Sequence, residues 1–78
     1  MIVYYLEELI KQKEAIEKRR ISDTEIAEAI KITRQTVANI KNHHIKPYIT
    51  TTRVIEQMLQ YFNCDKISDF IEYIPDEK

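Results

Sequence analysis

The chain has no glycine and no tryptophan, and among its 78 residues only two prolines and one cysteine. Without glycine there is no phosphate-cradling loop and no nucleophile elbow, so the usual enzyme signatures are missing. No catalytic residue and no cofactor is expected. Any left-handed corner must be made by a residue that carries a Cβ. The lone Cys64 forms no internal disulfide, which fits a reducing, cytoplasmic setting. No apolar run approaches the roughly 20 residues of a membrane span, and no leader or lipidation pattern is visible, so no membrane association is expected. With 44% hydrophobic residues, positions 1–78 are expected to form one small domain. A core of this size supplies only roughly 3–5 kcal/mol, so oligomerisation is the remaining source of stability.

Acidic residues are also missing from one segment. The net charge is −1, which on average argues against a nucleic-acid partner. The average hides a sorting of charge along the chain. From Ala29 to Ile55 there is no Asp or Glu, while Lys31, Arg34, Lys41, Lys46 and Arg53 give +5. Met1 to Glu28 carries five basic and seven acidic residues, and Glu56 to Lys78 carries two basic and six acidic. Charge sorted in this way builds one positive face.

What is present is helical spacing, with "MIVYY" the one stretch that has strand composition. Five helices are expected. The first spans about Val3 to Arg19, with Leu6, Leu9, Ile10 and Ile16 near one face. Ser22 and Glu25 have capping-box spacing before a second helix, Asp23 to Ile30. Thr33 caps a third, Arg34 to about Lys41, with Asn42 as a left-handed terminator and Pro47 in the loop beyond. The Thr50–Thr52 run caps a fourth, Arg53 to Phe62, where Val54, Ile55, Met58, Leu59 and Phe62 follow the three-and-four pattern and Asn63 ends it. Ser68 caps a short fifth helix through Phe70, Ile71 and Ile74, stopped by Pro75, and the tail 75–78 is expected to be frayed.

The second and third helices, joined at Lys31-Ile32-Thr33, have helix-turn-helix geometry at about residues 22–42. At about 100° per residue, Arg34, Gln35, Ala38, Asn39 and Asn42 fall within roughly 140° of one another, with Val37 and Ile40 opposite. An ordinary solvated face would carry Glu and Lys. Arg, Gln and Asn instead have the paired donors and acceptors that match base edges, and a central alanine lets a helix sit deep in a major groove.

"SDTEIAEAIKITRQTVANIKN" resembles the helix-turn-helix of the lambda repressor and Cro-like regulators. Ile26 and Ala27 match inside its second helix, Ile30 and Ile32 flank the corner, and Val37 and Ile40 match inside the third. Pro47 sits where the family often has a proline, and "VIEQMLQYFNC" with "ISDFIEYI" resembles its fourth and fifth helices. The chain departs from the pattern in three places. Lys31 replaces the usual corner glycine, the stretch after Pro47 is longer, and the first helix does not match in register. Lys31 is therefore expected to have a positive φ.

The resemblance implies an all-α, five-helix DNA-binding domain. Base edges would be met by Arg34, Gln35, Ala38 and Asn39, on a palindromic operator in double-stranded DNA. Phosphates would be held by Ser22, Thr24, Thr33, Thr36, Asn42, His43, Lys46 and Tyr48. Asp23 stands awkwardly among them, since its carboxylate repels a phosphate. A homodimer would pair through the fifth helix, by Ile67, Phe70, Ile71 and Ile74, or through "MIVYYL", and core packing is the plainer use of both segments. With no second domain, the simplest output is occlusion of an operator by a repressor of phage or bacterial type.

Other readings carry less. His43 and His44 invite a metal, but neighbouring residues point apart and a four-ligand site is not at hand, so no metal is expected. A positive charge on either would instead favour phosphate. Tyr4, Tyr5, Tyr61 and Tyr73 lie beside apolar stripes and suit core or interface better than base stacking, leaving Tyr48 in the basic segment. The alternative function is an antitoxin or other protein-binding module of the same fold, which neutralises a partner protein and regulates its own synthesis.

Overall fold

In the computed structural model, which describes residues 1–75, a short strand precedes four helices and a second strand follows them. The order is β1 (Ile2–Tyr4), α1 (Leu6–Glu17), α2 (Asp23–Ile30), α3 (Arg34–Lys41), α4 (Thr52–Tyr61), a 3₁₀ turn (Ile67–Asp69) and β2 (Ile71–Tyr73). The part of the tail from Asp76 to Lys78 lies outside the described residues.

Each helix start is set by a short polar side chain wherever the sequence offers one. Ser22, Thr33 and Thr51 hold extended backbone, and their hydroxyls accept from the amides of Glu25, Thr36 and Val54. These bonds satisfy donors that the first helical turn leaves free. Only half of the expected capping box at α2 forms. The Glu25 carboxylate turns away from Ser22 and receives both guanidinium nitrogens of Arg19, at 2.8 and 2.6 Å. A two-pronged charged contact outcompetes one amide, and the fork holds Glu25 below the usual carboxylate range.

The glycine-free corners are left-handed nonetheless. Lys18, Lys31 and Asn63 have φ of 56°, 60° and 60°. Lys31 closes α2 with its amide on the Ala27 carbonyl, and the Ile32 amide reaches the same oxygen at 2.9 Å. The expectation for Lys31 is met. Asn42 differs from its expected role: at φ −98° it closes α3 without a left-handed residue. The chain runs on through turns in which the Ile45 and Lys46 amides both return to the Asn42 carbonyl, so no reversal of hand is needed.

The core is one cluster drawn from β1, the four helices and the connecting residues Ile21 and Phe70. Leu6, Leu9 and Ile10 of α1, Ile26, Ala27 and Ile30 of α2, Val37 and Ile40 of α3, and Val54 and Met58 of α4 are buried with Tyr4, Ile21 and Phe70. Ile55, Leu59 and Phe62 pack against this cluster, as the α4 pattern requires. Ile16 does not. It is 80% exposed, because α1 reaches past the body of the core in its last turn.

The fifth helix is replaced by a 3₁₀ turn and a strand. Residues 71–73 pair antiparallel with residues 2–4, with Ile2 opposite Tyr73 and Tyr4 opposite Ile71. The Met1–Ile74 pair and the Tyr5 amide on the Phe70 carbonyl extend the ladder. Too few residues lie between Asp65 and Pro75 for a stable helix, whereas Ile-Glu-Tyr alternates like a strand and meets the β-branched and aromatic "IVY". Tyr5 donates its hydroxyl to the Glu72 carboxylate on the ribbon's outer face, which raises the phenol above its ordinary range. The strand composition of "MIVYY" is realised, and α1 accordingly starts at Leu6 instead of Val3.

Candidate nucleic-acid interface

The α2–α3 corner sets the orientation of the exposed face of α3. Ile26, Ala27 and Ile30 face Val37 and Ile40 across it, all at most 3% exposed, so α3 cannot roll without opening the core. Its opposite side is polar. Arg34 and Gln35 are exposed, Ala38 and Asn39 half-buried. Arg34 forms no salt bridge among the described residues. Gln35 Nε2 donates to Asn39 Oδ1 at 2.9 Å, so the two amides one turn apart are already ordered along the helix face.

Two open clefts flank this face. The larger, about 650 Å³, brings Arg34, Gln35 and Ala38 together with Ser22 and Thr24 at the start of α2. The smaller, about 210 Å³, collects Asn39, Asn42, Lys46 and Tyr48 beside Pro47. Thr33 and Thr36 line neither cleft, and their hydroxyls lie 2.9 Å from each other at the α3 start.

The larger cleft also contains Arg20 and Lys41, which were not on the expected list of contacts. Of the Arg19–Arg20 pair, only Arg19 is drawn into a carboxylate fork, and Arg20 is left exposed at the cleft. Adjacency in sequence does not distinguish the two arginines; the position of Glu25 does. Lys41 Nζ lies 3.0 Å from the Asp23 carboxylate, which resolves the awkwardness of Asp23. Its negative charge is met by a cation from the far end of α3 before any phosphate approaches.

His43 departs from its expected role. Its ring is turned inward, where Nε2 accepts the Tyr4 amide at 3.1 Å and Nδ1 lies 2.8 Å from the Ile40 carbonyl. Accepting at Nε2 places the proton on Nδ1, which donates to that carbonyl. With both nitrogens used, this histidine ties β1 to the end of α3 and has no free donor for a phosphate. Exposed His44 packs edge-on against it, with ring centroids 5.7 Å apart.

Taken together, a helix held by an aliphatic corner presents Arg, Gln, Ala and Asn outward between two clefts with basic rims. A family model for the Cro/C1-type helix-turn-helix DNA-binding domain matches residues 11–76. The chain belongs to this family. Among curated proteins no match is found. As a Cro/C1-type domain it is a DNA-binding regulator, and the matched residues run from the middle of α1 through β2. No helix among the described residues is long and apolar enough to cross a membrane.

Proposed function

We propose that this Cro/C1-type chain is a sequence-specific, dimeric repressor that occludes a palindromic operator, with α3 in the major groove. The observation that carries this reading is the outward face of α3, where Arg34, Gln35 and Asn39 surround the small Ala38. Arg34 is suited to guanine O6 and N7, and Gln35 to adenine N6 and N7; the Ala38 methyl is suited to a thymine methyl. Ser22, Thr24, Arg20, Asn42, Lys46 and Tyr48 stand at the two cleft rims, where phosphates on either side of the groove would run. Thr33 and Thr36 serve as further phosphate donors at the α3 amino end. One recognition helix spans about half a site, so two copies are needed for half-sites roughly 34 Å apart.

The test is selection of bound duplexes from a random pool at fixed salt, with the native chain, Arg34→Ala and Gln35→Ala. The expected result is an enriched palindrome that relaxes at one position per half-site in each variant, by roughly 1–3 kcal/mol per lost bidentate contact. Weak, salt-sensitive binding with no enriched sequence would refute specific repression and favour a role in which a partner protein is the target.

A further inference from the structure

Beside the DNA-facing side, a groove of about 510 Å³ opens between the ribbon and the loop joining α3 to α4. Ile2, Tyr4 and Ile71 line it from the ribbon, Tyr48 and Ile49 from the loop, and Ile55 from α4. No Asp, Glu, Lys or Arg side chain lines it. At its rim Met1 and Ile2 are about half exposed, and Ile49 is 91% exposed. An apolar hole and an apolar knob therefore sit side by side on one chain.

We propose that this groove receives a second copy of the chain, related by a two-fold axis, with Ile49 of each copy seated in the groove of the other. This deepens the dimeric part of the function proposed above and moves the dimer surface away from the segment expected to form a fifth helix. A self-complementary contact requires that the patch which inserts also be the patch which receives, and Ile49 lines the very groove it would fill in a partner. Surface area points the same way. The chain exposes 5848 Å², several hundred Å² more than the roughly 5000 Å² typical of a folded 9.4 kDa monomer. One partner's share of a specific interface is about 800 Å², the same order. Its basic groups are exposed His44 with His43 and the Met1 amino group, and the last two are already bonded within the fold, so the groove offers little charge to a phosphate or to an acidic or basic peptide. The loop that carries Ile49 leaves directly from α3, so docking there fixes the distance between two recognition helices.

Sedimentation equilibrium of the full chain at micromolar concentrations, with and without DNA, tests the proposal. The native chain is expected to be dimeric, Ile49→Asp monomeric with an unchanged far-UV spectrum, and Ile67→Asp dimeric. Ile49→Ser, a milder change at an exposed site, is expected to raise the dimer dissociation constant at least about tenfold. On DNA, Ile49→Asp should keep its affinity for a single half-site and lose at least about tenfold on the palindrome. A native chain that stays monomeric with and without DNA, an Ile49→Asp chain that stays dimeric, or dissociation caused by Ile67→Asp instead would each overturn it. If the mass responds as expected but no DNA sequence is enriched, the surface stands and the repressor reading falls.

Discussion

Replacing Lys31 by glycine should stabilise the protein. Lys31 sits at φ 60° and ψ 51°, where an L-residue's Cβ crowds the carbonyl at a cost of about 1–2 kcal/mol. Its side chain is exposed and forms no salt bridge among the described residues, so little packing is lost on removing it. The bonds of the corner to the Ala27 carbonyl are backbone bonds and survive the change. Against this gain, glycine adds unfolded-state freedom worth about 0.4–1 kcal/mol, and a cation near the α2 carboxyl end is lost, worth about 0.3 kcal/mol. The net is a gain of roughly 0.5 kcal/mol, or a Tm increase of roughly 2–4 °C for a domain of this size. Lys31→Val should go the other way by more than about 1 kcal/mol, since a β-branched residue fits this region poorly. Far-UV circular dichroism melts at one pH and one protein concentration measure both, the concentration being held because dimerisation shifts Tm. A lower Tm for Lys31→Gly, or an unchanged one for Lys31→Val, would refute the view that the corner is strained by its Cβ.

Three further outcomes are expected. Phe70→Ala should cost about 3–5 kcal/mol, as much as the whole fold holds, and leave the chain largely unfolded by circular dichroism, whereas exposed Ile67→Ala should stay within about 0.5 kcal/mol of the native chain. His43→Ala removes the partners of a Tyr4 amide and an Ile40 carbonyl and should lower stability by roughly 1–3 kcal/mol in urea titrations; His44→Ala should leave the midpoint almost unmoved. Glu25 is held below its ordinary range, chiefly by the Arg19 fork, so its contribution is present above the unfolded carboxylate value and fades as pH falls through about 4.3 and below. Melts over that range should show a shallower acid limb for Glu25→Gln than for the native chain, and parallel limbs would rule out the fork as its source.

The sequence by itself determined the parts whose physics is local. Caps at Ser22, at Thr33 and within the Thr50–Thr52 run, and the apolar stripes of α2, α3 and α4, follow from neighbours within one or two turns, while the left-handed Lys31 was legible from its place at the corner where the resembled family has glycine. The outward set Arg34, Gln35, Ala38 and Asn39 was legible for the same reason, since a 3.6-residue period places it opposite Val37 and Ile40. Only the tertiary structure decided the rest, because it depends on which segments meet. Residues 71–73 become a strand because residues 2–4, at the other end of the chain, supply the ladder that a short isolated helix could not replace. Phe70 is fully buried and so is not available to a partner, although its spacing with Ile67, Ile71 and Ile74 suits an interface equally well. Lys41 neutralises Asp23 across 18 positions, and His43 turns inward because the Tyr4 amide lies within reach. Local pattern fixes which face a residue takes on its own helix, and packing between distant segments fixes what that face touches.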